Sequence, residues 1–196
     1  MSMSEKRPPD HLALEKASVW ISRFAPLIPA GEVLDLACGA GRHSRLLAKL
    51  DHSVLAVDRN PESLTLAAGE GITTQQVDLE SGDEKSRWPF AQNRFAGIVV
   101  TNYLFRPLFD SIIAGLAPNG VLLYETFAEG NEQFGKPSNP DFLLKNGELL
   151  EMASKHGLRV VAYESGYVET PKLAMVQRIC LIKSNGSLSA EKLRLL

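Results

Sequence analysis

The hydrophobic positions of this chain follow two patterns that alternate along most of its length. Short apolar runs, typical of strands buried on both faces of a sheet, occur at 33–37, 54–57, 95–101 and 121–126, and a weaker strand is predicted at 72–77. Stretches with apolar residues three and four apart, typical of helices, occur at 11–28, 42–50, 61–68 and after Pro107. This alternation predicts an α/β fold, a doubly wound sheet with parallel central strands and one antiparallel edge strand.

The C-terminal part of the chain departs from this alternation. Residues 127–145 hold Gly, Asn and Pro without a period, which predicts a long loop, and loops of this length often act as lids over a site. Asn146 is a suitable N-cap for a helix that ends at Gly157. Strands predicted at 158–163 and 173–183 flank a proline-containing link and are expected to pair antiparallel, and 189–196 is a candidate short helix.

Length and composition fit one domain of 196 residues, with residues 1–30 as an N-terminal helical extension. The net charge of −2 and the pI near 6.1 argue against nucleic acid as a partner, because nucleic-acid binders carry a basic stripe. No apolar run approaches the roughly 18 residues of a membrane span, and the polar start of the chain does not resemble a signal peptide.

The cysteines and histidines do not form a recognisable metal or disulfide motif. Cys38 and Cys180 lie far apart, which favours a reducing cytoplasm as the location. The four histidines lack metal-ligand spacing, so no metal is expected.

Polar residues at the ends of successive predicted strands carry the candidate chemistry. The first strand contains Asp35 and runs into a glycine turn at residues 39–41, while Asp58 ends the second strand and Asp78 the third. Because open parallel sheets bind ligands beyond the carboxyl ends of their strands, these carboxylates are expected on one ligand rim. Asp58 follows Gly39 by 19 residues, the spacing at which an acid reaches a ribose hydroxyl in nucleotide-binding folds.

The negative charge of these carboxylates indicates which kind of nucleoside the site holds. A phosphate would favour cationic partners, whereas these acids suit a phosphate-free nucleoside with a positive sulfonium, which is S-adenosylmethionine. A dinucleotide is the alternative ligand, but Ser44 stands where its fingerprint has a third glycine, and Asp35 where its strand is usually apolar.

The segment 33–41, with Asp35 and the glycines at 39 and 41, resembles the first motif of class I S-adenosylmethionine-dependent methyltransferases. Asp58 matches their ribose-binding acid, 77–79 their adenine-contacting segment, 95–103 their fourth motif and 116–122 the turn into their fifth strand. The resemblance spans about residues 30–183. It implies a seven-stranded Rossmann-like sheet of order 3-2-1-4-5-7-6, with strand 7 antiparallel and helices on both faces.

This resemblance also implies the ligands and the site residues. S-adenosylmethionine is the expected cofactor, and the expected acceptor is a small molecule, because within the family the chain looks most like the compact small-molecule and tellurite-resistance enzymes. The residues expected at the cofactor are Asp35, Ala37, Cys38, Gly39, Gly41, Asp58, Arg59, Asp78, Leu79, Thr101 and Asn102. Tyr103 and Glu125 are the candidate catalytic residues.

Several alternatives stay open at this point. His43, Phe105, Arg106 and Tyr167 are weaker candidates for contact with the acceptor. A protein or RNA methyltransferase, or a binding module that keeps the cofactor without turning it over, is compatible with the same motifs. Unlike the enzymes that methylate base amino groups, the chain lacks two prolines after Asn102, which weakens a nucleobase acceptor.

Overall fold

A computed structural model describes residues 16–82 and 88–184. In these ranges seven strands form one sheet: β1 (Glu32–Leu36), β2 (Ser53–Asp58), β3 (Ile72–Gln76), β4 (Phe95–Thr101), β5 (Leu116–Phe127), β6 (Arg159–Val168) and β7 (Ala174–Ile182). Their order is β3-β2-β1-β4-β5-β7-β6, and β7 runs antiparallel to both of its neighbours. The expected strand order and the antiparallel strand are confirmed, although β7 lies beside the edge strand β6 and is not itself the edge.

Five helices cover the two faces of the sheet within the described ranges: α1 (Val19–Phe24), α2 (Arg42–Lys49), α3 (Pro61–Ala67), α4 (Phe109–Gly115) and α5 (Glu148–Lys155). Alternate strand residues point to opposite faces, so each face builds its own apolar core. Helices α1 and α2 pack with Val33, Val99 and Leu123 on one face, whereas α4 and α5 pack with residues such as Leu34 and Ile98 on the other.

Some element boundaries differ from the expectations. The N-cap of α5 is Gly147, at φ 74°, and not Asn146, so that prediction is wrong. The predicted helix over 11–28 is shorter in its described part, because Ser18 caps it at α1 and a 3-10 turn follows over Ala25–Leu27. The predicted turn at 118–120 is absorbed into β5, where the register with β4 shifts.

Further predictions concern the two ends of the chain and the segment 127–145. Residues 189–196 and the start of the predicted N-terminal helix lie outside the described residues. The segment 127–145 is not featureless, because two 3-10 turns (Asn131–Gln133 and Pro140–Phe142) and a bridge from Ala128 to Leu144 shape it. Within 16–82 and 88–184, no helix has the length and apolar character that crossing a bilayer requires.

Candidate functional site

A cavity of about 1190 Å³ lies at the carboxyl ends of β1, β2 and β4 and beside the segment that follows β3. Ten of the thirteen predicted site residues line it: Ala37, Cys38, Gly39, Asp58, Arg59, Asp78, Leu79, Thr101, Asn102 and Tyr103. Asp35, Gly41 and Glu125 are not among its lining residues. The motif residues therefore converge on one cavity, although they come from four separate stretches of the chain.

The two glycines of the turn after β1 have different surroundings. Both have left-handed backbones, with φ of 53° at Gly39 and 75° at Gly41. A Cβ built on Gly39 would meet no atom within 4 Å, whereas one on Gly41 would lie 2.6 Å from the Cβ of Ala67 in α3. Gly39 therefore leaves open space at the cavity wall, while Gly41 lets α2 start close against α3.

Asp58 is held in place by two backbone N–H groups. Its Oδ2 accepts from the amide of Gly39 at 2.9 Å, and its Oδ1 accepts from the amide of Asn60 at 2.9 Å. These bonds join the end of β2 to the glycine turn after β1, which fixes the distance between the carboxylate and the turn. A carboxylate oxygen has more than one lone pair, so Asp58 keeps acceptor capacity toward the cavity.

The carboxylate after β3 is held in a similar local way. Oδ1 of Asp78 accepts from the amide of Glu80 at 3.1 Å, which forms a tight turn at the cavity wall. Leu79 between them is buried at 4% exposure. The segment thus presents two exposed carboxylates, Asp78 and Glu80, on either side of one buried apolar residue.

Asp35 lies behind the glycine turn and not on the cavity surface. It is only 1% exposed, and its Oδ2 accepts a hydrogen bond from the Ser44 hydroxyl at 2.5 Å. Burial raises the pKa of Asp35 from 3.8 to about 6, against the opposing effect of the Ser44 hydrogen bonds. Its observed partner belongs to α2, so Asp35 positions the start of that helix.

Thr101, at the end of β4, connects the cavity to a buried histidine. Its hydroxyl lies 3.2 Å from Nδ1 of His43, and Nε2 of His43 accepts from the amide of Ser18 at 3.1 Å. Burial, and then the charge of Arg42, lowers the pKa of His43 to about 3, so its ring is neutral. Because Nε2 accepts, the proton is on Nδ1, and the Thr101 hydroxyl must accept from it. That leaves the hydroxyl hydrogen of Thr101 available for a ligand in the cavity.

Glu125, predicted as catalytic, belongs to the same buried network. Its Oε2 accepts from the Ser18 hydroxyl at 2.6 Å and lies 3.2 Å from Nε of Arg178. The side chain is 11% exposed and does not line the cavity. This placement does not favour a base role, because Glu125 is paired and away from the space where an acceptor would lie.

Tyr103, the other predicted catalytic residue, does line the cavity. Burial, followed by the nearby charge of Glu80, raises the pKa of Tyr103 well above its usual value. The phenol is therefore protonated at neutral pH and suits donation of a hydrogen bond better than removal of a proton. Cys38 is likewise held as a thiol, because burial raises its pKa.

The outer part of the cavity comes from two segments. The segment 127–145, predicted as a long loop of a length typical of lids, contributes Phe127, Lys136, Pro137, Ser138, Asn139 and Phe142. The β6–β7 link, which sequence reasoning did not assign to a site, contributes Pro171 and Lys172. Arg42 and Glu80 were also missed, although each lies close in sequence to a predicted residue. Phe105, Arg106 and Tyr167, which were candidates for acceptor contact, do not line the cavity.

A comparison with known proteins agrees with this geometry. A family profile described as "Methyltransferase domain" matches residues 33–120, which include the glycine turn, Asp58 and Asp78. The curated protein named "Putative methyltransferase YqeM" from Bacillus subtilis (strain 168) is 29% identical over 124 residues, 59% of this chain. The chain spans about half of that relative, since the match covers 49% of it.

Solved structures of methyltransferases share the fold. An S-adenosylmethionine-dependent methyltransferase from Mesorhizobium loti superposes with a TM-score of 0.62 at 16% identity, covering 82% of this chain and 97% of that one. TehB from Haemophilus influenzae superposes with a TM-score of 0.65 at 20% identity, covering 82% of this chain and 60% of that one. At these identities the structures show the fold alone.

The segment 33–120 therefore matches a methyltransferase domain, and the sheet has a fold that solved S-adenosylmethionine-dependent methyltransferases share. S-adenosylmethionine is named for solved structures that share this fold, and it is the candidate cofactor of this cavity. The lining of the cavity suits S-adenosylmethionine on three counts: open space beside Gly39, a carboxylate at Asp58 and a carboxylate next to an apolar side chain at Asp78 and Leu79. Among the described residues, no group of three or more His, Cys, Asp or Glu is arranged to hold a metal.

Proposed function

We propose that this protein is an enzyme that transfers a methyl group from S-adenosylmethionine to a small-molecule acceptor. When bound, the cofactor supplies an electrophilic methyl: the carbon–sulfur bond breaks with its electron pair remaining on sulfur, while an acceptor lone pair forms the new bond to carbon. The observation that supports this most directly is the cavity of about 1190 Å³, which is larger than a typical ligand site of roughly 300–1,000 Å³. That volume leaves room for an acceptor beside the cofactor.

Residues on the β1–β3 side of the cavity are proposed to hold the cofactor. Asp58 accepts hydrogen bonds from the ribose hydroxyls. The hydrogen bonds from the amides of Gly39 and Asn60 hold its carboxylate in position for this role. Asp78 accepts from the adenine amino group, and Leu79 packs against the ring. Gly39 allows the backbone to approach the ligand, because a side chain there would project into open space.

Positioning and exclusion of water are the proposed sources of rate enhancement. Orientation of two reactants supplies up to roughly 7–11 kcal/mol in favourable cases. Thr101, Asn102 and Tyr103 end β4 at the cavity and are proposed to orient the reacting groups. Tyr103 acts as a hydrogen-bond donor in this scheme, and an acceptor that ionises near neutral pH releases its proton to water without a protein base.

Calorimetry with S-adenosylmethionine and S-adenosylhomocysteine tests the cofactor assignment. We expect Asp58→Asn to weaken cofactor binding by about 1.5–3 kcal/mol, because a hydrogen bond to a charged group is lost. Asp51→Asn is the matched control: Asp51 is an exposed turn residue at φ 63° that does not line the cavity, and asparagine tolerates that backbone. Equal affinities for the Asp58 and Asp51 variants would remove the ribose assignment.

Turnover on an acceptor panel tests the reaction itself. Release of S-adenosylhomocysteine should depend on a small acceptor and should fall in the Asp58→Asn protein as cofactor binding falls. Tight cofactor binding without turnover on small molecules, together with a stable protein partner in pull-downs, would favour the binding-module alternative. Turnover confined to protein or RNA acceptors would replace the small-molecule part of the proposal.

A further inference from the structure

The acids and the two lysines that line the cavity come from different parts of the sheet. The lining acids, Asp58, Asp78 and Glu80, lie at the end of β2 or after β3, where they outnumber the one cation of that side, Arg59. Lys136 lies in the segment after β5, and Lys172 lies in the link between β6 and β7. The β2–β3 side therefore suits a cationic ligand, whereas the opposite side presents two ammonium groups from separate loops.

These two lysines have no ionic partner in the part of the chain that the structure describes. Among residues 16–82 and 88–184, no carboxylate lies within 4.0 Å of either amine. The nearest interaction recorded for Lys172 is with the ring of Phe127, whose centroid is 5.1 Å from its Nζ. Two further cations line the cavity and differ from the lysines: the negative charges of Glu125 and Asp35 act on Arg42, and Arg59 directly follows Asp58.

The part of the segment 127–145 that contains Lys136 is held against the sheet by one buried side chain, Asn131. Asn131 is 2% exposed; its Nδ2 donates to the carbonyl of Pro137 at 2.9 Å, and its Oδ1 accepts from the amide of Met175 at 3.2 Å. One amide side chain thus connects the turn next to Lys136 with β7. The lysine is held near the cavity because its backbone is fixed, not because the lysine itself makes a bond.

Apolar side chains line the same part of the cavity as the two lysines. Phe127 and Phe142 border the cavity, and Pro137 and Pro171 directly adjoin the lysines in sequence. Phe127 is part of a buried cluster with Leu143 and Val176, whereas Phe142 is 47% exposed. This part of the cavity combines apolar side chains with two ammonium groups that have no carboxylate partner among the described residues.

We infer that the methyl acceptor is a small molecule with an anionic group, a carboxylate or a phosphate, next to an apolar or aromatic body. This inference rests on the proposed function, since it describes the second ligand of the same cavity. Lys136 and Lys172 bind the anionic group, and Phe127 and Phe142 pack against the body. The lysines are specificity-determining residues and take no part in the bond exchange.

Calorimetry with simple probes on the protein saturated with S-adenosylhomocysteine tests the inference. The probes are benzoate, phenyl phosphate and the uncharged benzamide, with a hexaglutamate peptide as a macromolecular arm. We expect benzoate or phenyl phosphate to bind about tenfold more tightly than benzamide. The stronger of the two anions identifies carboxylate or phosphate as the group recognised.

Paired variants separate the role of the two lysines from a general effect of charge. The double variant Lys136→Gln with Lys172→Gln should abolish the preference for the anion, and the double Lys→Arg variant should retain it. Lys49→Gln with Lys155→Gln is the matched control, because it removes two exposed lysines that do not line the cavity. S-adenosylhomocysteine should bind to all of these proteins with Kd values within about twofold of each other.

Four results would overturn the inference. They are equal binding of benzoate and benzamide, no binding of either anion, weaker S-adenosylhomocysteine binding in the double Gln variant, and tighter binding of hexaglutamate than of both small anions. The third would assign the lysines to the cofactor's own carboxylate, and the fourth would assign them to an acidic protein segment. Failure of the wild-type protein to bind S-adenosylhomocysteine is a separate outcome, which contradicts the proposed function. In that case, titration of the anions into the protein without S-adenosylhomocysteine still tests the inference.

Discussion

Gly39 and Gly41 have similar backbones, but a methyl group added at each should have different consequences. Alanine in the left-handed region costs roughly 1–2 kcal/mol at either position. At Gly41 the added Cβ would also lie 2.6 Å from the Cβ and 2.7 Å from the Cα of Ala67, so α2 and α3 would have to separate. At Gly39 the added methyl would project into the space that the cofactor is proposed to occupy.

We therefore expect Gly41→Ala to be the more destabilising change and Gly39→Ala the more damaging to cofactor affinity. Gly39→Ala should lose only the roughly 1–2 kcal/mol of stability that the left-handed backbone costs, but it should bind S-adenosylmethionine at least about tenfold more weakly. Gly41→Ala should lose several kcal/mol of stability, roughly 2–4, because backbone atoms must move. Urea unfolding and calorimetry on both proteins check this, and a Gly39→Ala protein with normal affinity would contradict it.

Asp35 and His43 have pKa values that burial moves in opposite directions. Burial raises the pKa of Asp35 from 3.8 to about 6, and burial, together with Arg42, lowers the pKa of His43 from 6.5 to about 3. Between about pH 4 and pH 6 the unfolded chain carries one proton on this pair, on His43, and the folded chain also carries one, on Asp35. The pair therefore adds no net pH dependence to stability in this window.

Removal of one member of the pair should expose the effect of the other. In Asp35→Asn the depressed pKa of His43 acts alone, so stability relative to wild type should fall as pH drops through this window, by about 2–3 kcal/mol. In His43→Asn the raised pKa of Asp35 acts alone, so relative stability should fall by a similar amount as pH rises. Urea unfolding at several pH values measures both slopes; the same pH dependence in all three proteins would show that the pair does not titrate in this way.

Arg106 attaches the segment 127–145 to the rest of the protein. Its guanidinium donates to the carbonyls of Asp141 and Leu143 at 2.8 Å each, and to both carboxylate oxygens of Glu148. Arg106 does not line the cavity, but it fixes the turn that carries Phe142. A planar group with several donors is needed for this, and lysine cannot make these bonds together.

Arg106→Lys should loosen this segment without affecting the cofactor side of the cavity. We expect faster hydrogen exchange at residues 141–144 and a higher KM for the acceptor, with the affinity for S-adenosylmethionine unchanged. Arg94→Lys is the matched control, because Arg94 makes a similar two-pronged contact, with Glu32, at the amino ends of β1 and β4. An effect of equal size in both variants would mean that the exchange reports general stability and not the segment.

The accuracy of the sequence-based predictions depended on whether the decisive contacts are local. Strand β4 was predicted with its observed limits, Phe95–Thr101, because all seven residues are buried and the run is interrupted by no polar side chain until its end. Asn146 was wrongly chosen as a helix cap because its neighbour Gly147 adopts a left-handed backbone that the pattern does not reveal. The shape of the segment 127–145 depends on Arg106 and on contacts to β7, which lie more than 30 residues away in sequence.

The residues of the candidate site that the sequence predicts correctly also belong to local motifs, whereas those it misplaces depend on distant contacts. Gly39, Asp58 and Asp78 were found because they are part of motifs with fixed spacing at the ends of strands. The contact between Ser18 and Glu125 joins residues 107 positions apart, so no local pattern indicates it. The sequence therefore predicts Glu125 at the cavity, whereas in the structure its carboxylate accepts a hydrogen bond from Ser18 and pairs with Arg178.

At the scale of the whole molecule, one sheet carries both the cavity and the two apolar cores. The end of β1 bears the glycine turn, while Val33 and Leu34 of the same strand belong to the cores on opposite faces. Loss of either core would disrupt the strands that support the site. We therefore expect the described part of the chain to unfold in one cooperative step.

Cofactor binding should shift this single step to higher temperature, because a ligand that binds only the folded state stabilises it. At a cofactor concentration one hundred times the Kd, the gain is about 2.7 kcal/mol, which for a chain of this size corresponds to roughly 5–10 °C in Tm. The Asp58→Asn protein, at the same cofactor concentration, should show a clearly smaller shift, whereas Arg94→Lys should show the full one. Scanning calorimetry gives both readings, and two transitions of which only one moved would contradict the idea that site and cores form one folding unit.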